Sequence, residues 1–122
     1  MLIVSALVTL TVFEYLAVRD RQSISEITSD IRASVPQGSS NDDITRYLKA
    51  HDIPYVAYSV SQQMSSYTTF RTLGIKAGTN VILAKEYQEG TLWLSPRWLE
   101  IVFVLDNALT LERFGIVAYN VE

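Results

Sequence analysis

The sequence predicts an α+β domain: two helices packed on one face of a small antiparallel β-meander, preceded by a hydrophobic N-terminal helix. Three observations predict it. Two helix-start signatures fall at Ser23/Glu26 and Ser40/Asp43, each with the three-residue spacing of a capping box, in which side chains satisfy backbone N–H groups at the helix start. After Pro54 the apolar period changes from that of a helix to the period of two expected of strands. Before Arg19 the chain is almost wholly apolar.

The chain has 122 residues, enough for one compact domain, and 48% of them are hydrophobic, enough for a substantial core. We divide it into a hydrophobic N-terminal anchor, 1–22, and a single α+β domain, 23–122. In the anchor no charge interrupts Leu2 to Phe13, and after Glu14 the run resumes as Tyr15, Leu16, Ala17 and Val18 before Arg19, Asp20 and Arg21 end it. The run is shorter than the ~20 residues of a usual spanning helix. Residues 14–16 make a poor signal-peptidase site, so an uncleaved anchor is expected, with Glu14 near the interface where a carboxylate costs less than at mid-bilayer. The alternative is a core element of a soluble domain, to which the β-branched residues of the run lend some strand propensity.

The first predicted helix starts at Ser23 and carries Ile24, Ile27 and Ile31 on one stripe, until Val35, Pro36, Gln37 and Gly38 break it. The second follows Ser40, with Asp42 and Asp43 complementing the positive end of its dipole. Ile44, Tyr47 and Leu48 form its apolar stripe, His51 falls on that stripe one turn later, and Asp52, Ile53 and Pro54 stop it. Strands are expected at Tyr55 to Val60, Val81 to Tyr87, Trp98 to Leu105 and Leu109 to Tyr119. The polar stretch Ser61 to Thr69 reads as a loop or a ragged edge hairpin. Asp106, Asn107 and Ala108 read as a tight turn, and Gly115 as a bulge or bend. In the third strand Leu99, Ile101, Phe103 and Leu105 share the face assigned to the core. The opposite face, with Trp98, Glu100, Val102 and Val104, is less polar than a solvated surface should be.

The order of helix, Gly-Ser turn (Gly38 onward), helix to Leu48, then "IVFVLDNALTLERF" over 101–114, resembles the small envelope lipoproteins of the SmpA/OmlA type. These are accessory subunits of outer-membrane protein assembly. The two-helix, meander plan is also similar to that of the β-lactamase inhibitory proteins and of uncharacterised membrane-anchored bacterial domains. The likeness spans roughly 24–120 and is one of pattern. It implies a non-catalytic envelope domain that binds protein. That family carries a lipid on a cysteine; this chain has no cysteine, so attachment would fall to residues 2–18. The domain is then expected outside the cytoplasm, on a single-pass anchor. Arg19, Arg21 and Arg32 after the run favour the opposite orientation by the positive-inside rule.

Composition excludes several functions. Ten Lys and Arg residues are scattered through a chain of net charge −3, without the basic stripe a nucleic-acid binder needs. His51 is the only histidine and no Ser/His/Asp or Cys/His set accompanies it, so a structural role is expected. Helix capping accounts for Asp42 and Asp43 without a metal, and Gly74 and Gly78 form no phosphate loop. Carboxylate pairs such as Glu86 with Glu89, or Glu100 with Asp106, read as solvated sheet faces. No enzyme activity and no cofactor are expected. Large aromatics are the remaining signal. Trp93, Trp98, Tyr87 and Tyr119 are of the kind enriched at protein interfaces. Core packing or anchoring at a bilayer is the expected role of Trp93, while Trp98, Val102, Val104 and Tyr87 are the expected binding surface for a protein partner or a second copy of the chain. The expected function is thus a membrane-tethered interaction module of the bacterial envelope. The alternative is a soluble ligand-binding domain or minor enzyme with the N-terminal segment in its core.

Overall fold

The computed structural model of the chain describes residues 23–90, 92 and 95–120. The expected anchor, Trp93 and the last two residues lie outside the described residues. Two helices, α1 (Ile24–Ser34) and α2 (Asn41–Ala50), precede β1 (Tyr55–Ser59). A 3-10 turn (Met64–Ser66) and a short helix α3 (Thr68–Thr72) follow, and β2 (Asn80–Gln88), β3 (Arg97–Leu105) and β4 (Leu111–Asn120) complete an antiparallel sheet in the order β1-β2-β3-β4. The fold class is α+β, as the sequence predicts.

Both helices start where their caps lie. The Ser40 side chain accepts from the Asp43 amide at 3.1 Å and the Asp43 carboxylate accepts from the Ser40 amide at 3.4 Å, which closes a full capping box. At Ser23 one arm is formed, from the Glu26 amide to Ser23 Oγ at 3.1 Å. We therefore expect Ser40→Ala to cost about 1 kcal/mol in urea unfolding, with a smaller loss for Ser23→Ala. Between the helices Gly38 takes a left-handed φ of 91°, a conformation that glycine adopts without strain. That turn aims the linker at the sheet. The Gly38 amide donates to the Leu111 carbonyl and the Leu111 amide to the Ser39 carbonyl, both at 2.8 Å, so the helical hairpin is stitched to the start of the edge strand β4.

The main core lies between these helices and one sheet face. Ile27 and Ile31 of α1 and Ile44, Tyr47 and Leu48 of α2 pack on Ile82, Leu99, Ile101, Phe103 and Leu105. Strand alternation places the last four on one side of β3, as expected. Burying each such Leu, Ile or Phe side chain contributes on the order of 1.5–3 kcal/mol.

The opposite face differs from the sequence reading. Ser61 to Thr69 is neither an open loop nor a hairpin. With the residues up to Ile75 it folds back as the 3-10 turn and α3, and covers half of the second face. Phe70 and Ile75 are buried there on Val81, Val102 and Val104, with Met64, Leu73 and Leu83 partly buried around them. Val102 is 0% and Val104 3% exposed, so neither can belong to an accessible binding surface. This is why the second face is so apolar: it floors a second, smaller core.

Gly115 also differs from expectation. It pairs in register with Val102, and the bulge lies instead where Val104 pairs with Arg113 and Leu105 with Leu111, leaving Glu112 as the extra residue. The glycine serves the cover: a Cβ there would stand 2.5 Å from Leu73 Cδ2. At the β3–β4 turn the Asp106 carboxylate accepts from the Ala108 and Thr110 amides and from the Thr110 hydroxyl, with Leu109 at φ 60°. These bonds, the Thr110 hydroxyl foremost, hold the Asp106 carboxyl below the usual carboxylate range.

Candidate binding cleft

Register fixes what the uncovered half of the second face presents. Tyr87, Trp98 and Tyr119 are cross-strand neighbours on β2, β3 and β4, forming one aromatic row. Lys85 and Glu100 pair in the next row toward the cover. Tyr87 and Trp98 are 47% and 43% exposed, and their ring centroids stand 5.1 Å apart. Of the four residues expected to form a partner surface, these two remain accessible and adjacent, while Val102 and Val104 lie under Phe70 and Ile75.

Where the cover ends, a cleft of about 690 Å³ opens between α3 and the sheet. Its walls carry Tyr58 from β1, Ser66, Tyr67, Thr68 and Arg71 from the cover, and Lys85, Glu100 and Tyr119 from the sheet. Thr69 sits buried between cover and sheet. Its hydroxyl donates to Glu100 Oε2 and is in hydrogen-bond contact with the Tyr119 hydroxyl. With the Thr69 proton directed at the carboxylate, the Tyr119 hydroxyl is the donor to Thr69, and two hydroxyls in series terminate on Glu100. The other oxygen, Oε1, lies 3.7 Å from Lys85 Nζ. Burial, and then the negative charge of Glu100 and the neighbouring Tyr67, raise the Tyr58 phenol above its usual range, so it stays a protonated donor.

A smaller hollow of about 350 Å³ lies on the other side of Tyr87 and Trp98, bounded by His51, Asp52 and Pro54. His51 itself caps α2. Its ring packs on Tyr47 at 4.4 Å and its Nε2 stands 3.8 Å from Asp30 of α1, which also accepts the Tyr47 hydroxyl at 2.6 Å. The cluster ties the two helices together. Among the described residues no group of three or more His, Cys, Asp or Glu side chains could hold a metal ion, and no helix is long and apolar enough to cross a membrane.

Comparison of the chain with protein-family models, curated proteins and solved structures gives no match. The likeness to the envelope lipoproteins therefore rests on the sequence pattern.

The cleft was not visible in the sequence. Thr69 is 31 residues from Glu100 and 50 from Tyr119, and no local spacing links them. The one signal was Glu100 on an otherwise apolar strand face, a position where a carboxylate needs partners.

Proposed function

We propose that this chain is a membrane-tethered, non-catalytic domain of the bacterial cell envelope that binds a protein partner through the open half of its second sheet face. The observation that carries the binding role is the exposed aromatic pair Tyr87–Trp98 beside the cleft. Tyrosine and tryptophan are enriched at interface hot spots because they bury much area for few rotatable bonds. The rigid sheet beneath them, stitched by backbone pairing on both sides of β3, needs little ordering on binding. The tether rests on the apolar run Leu2 to Phe13 and its continuation to Val18.

Three measurements test this. The full chain should stay with membranes through an alkaline wash; release into the supernatant would refute the tether. A photo-crosslinking residue at position 98 should trap one discrete partner, and one at Ala57, exposed on the first face at the sheet edge, should not. Trp98→Ala should lower capture at least about tenfold, the order of a hot-spot truncation, with the fold intact. Equal trapping at both positions, or capture unchanged by Trp98→Ala, would remove the surface assignment.

A second reading has its own observation. A cleft of about 690 Å³ with converging hydroxyls falls within the ~300–1,000 Å³ of small-molecule sites. On that reading a small ligand protects Tyr58 and Tyr119 from chemical modification, and crosslinking at position 98 yields no protein adduct.

A further inference from the structure

Resting on the partner-binding reading, we propose that the cleft takes a cationic side chain of the partner, a lysine ammonium or arginine guanidinium, with Glu100 as counter-charge. Glu100 is the only carboxylate among the described residues that line the cleft. Its side chain is 19% exposed, so it is partly desolvated, and a charge there interacts more strongly than one on an open surface. One oxygen is committed: the buried Thr69 hydroxyl holds Oε2 and fixes the direction of the carboxylate. The other, Oε1, carries a cation already. Lys85 Nζ stands 3.7 Å away, beyond the ~2.7–2.9 Å of a charge-assisted hydrogen bond. The lysine side chain is 55% exposed, and exposed ion pairs of this kind contribute little. The Glu100 carboxylate is thus complementary to an ammonium and is paired with one that is readily displaced.

The walls agree with that chemistry. Tyr58, Tyr67, Phe70 and Tyr119 all line the cleft, and the electron-rich faces of aromatic rings attract cations, the more so when desolvated. Arg71 of α3 also lines the cleft, and it is exposed, so its guanidinium can extend into solvent.

The test uses the full chain in micelles, followed by amide NMR while N-acetyl-lysine methylamide, N-acetyl-arginine methylamide and N-acetylglutamate are added in turn. The two cationic probes should produce saturable shifts at Thr69, Glu100 and Tyr119, and the anionic probe none. Glu100→Gln should weaken cation binding at least about tenfold, as expected for loss of a partly desolvated counter-charge. Lys85→Ala should tighten it by about two- to fivefold by removing the internal competitor. A purely structural Lys85–Glu100 pair would not give that gain, and the gain does not depend on Glu100→Gln folding. Saturation by the anionic probe alone, unchanged cation binding in Glu100→Gln, or no gain in Lys85→Ala would each overturn the proposal. If crosslinking at position 98 still traps its partner while the cationic probes fail, the partner-binding reading stands and only the ligand class falls.

Discussion

Val102→Asp is expected to unfold the domain. Val102 sits at 0% exposure in the middle of β3, flanked by Leu83 on β2 and Gly115 on β4, in a cluster with Phe70, Ile75, Val81 and Val104. Every buried member of that cluster is apolar. An aspartate there finds no counter-charge, and even its protonated form leaves a carboxyl to be hydrogen-bonded in a site built for methyl groups. Burying such a group costs several kcal/mol, against a total stability of ~5–15 kcal/mol for a typical domain. Far-UV circular dichroism and amide shift dispersion should both report loss of the native state. Trp98→Ala on the same strand face should change stability by no more than about 1 kcal/mol, because Trp98 is 43% exposed. The contrast is diagnostic. If Val102→Asp keeps the native urea midpoint, the segment 61–75 does not lie on the sheet as described.

Sequence alone points to the opposite result for Val102, and the reason is instructive. Period-two alternation correctly separates Leu99, Ile101, Phe103 and Leu105 from Trp98, Glu100, Val102 and Val104, but alternation cannot say what lies above each face. The helices over the first face are legible because each has a cap signal and ten or more residues of stripe. The cover over the second face has neither advantage. Its apolar residues Met64, Phe70, Leu73 and Ile75 are spread over a three-residue 3-10 turn, a five-residue helix and a turn. These pieces are too short for a period to emerge, and the serines, glutamines and threonines between them read as loop. A trace of the cover was nonetheless present, since Val102 and Val104 make the face too apolar for solvent. That excess had two explanations, a partner or a buried lid from the same chain, and no local pattern chooses between them. The cleft is illegible for a related reason. It exists only because the cover stops short of Tyr87 and Trp98.

Phe70→Ala should lower stability by about 3–5 kcal/mol, the range for truncating a fully packed aromatic ring. Phe70 is 3% exposed and meets Tyr58 edge-on at 6.3 Å. It is the largest buried side chain that the cover lays on the sheet. Its loss leaves α3, a helix of five residues without a side-chain cap, held by Thr69 and the smaller contacts of Leu73 and Ile75. Because the cover shields Val81, Val102 and Val104, its opening would expose the floor of the second core. Cover and sheet should therefore melt together, in a single urea transition of unchanged steepness and lower midpoint. Hydrogen exchange gives the finer measurement. The Ile75 amide, bonded to the Phe70 carbonyl, reports on the cover, and the Ile53 amide, bonded to Leu48, reports on the helical side. In Phe70→Ala both should lose protection by the same free energy. If Ile75 exchanges freely while Ile53 keeps its native protection, the cover is a lid that opens independently of the sheet. Thr69, carried beside Phe70, links that result to the cleft. Whatever frees α3 also releases Glu100 from the hydroxyl that orients it, so cation binding and Ile75 protection should fall in parallel.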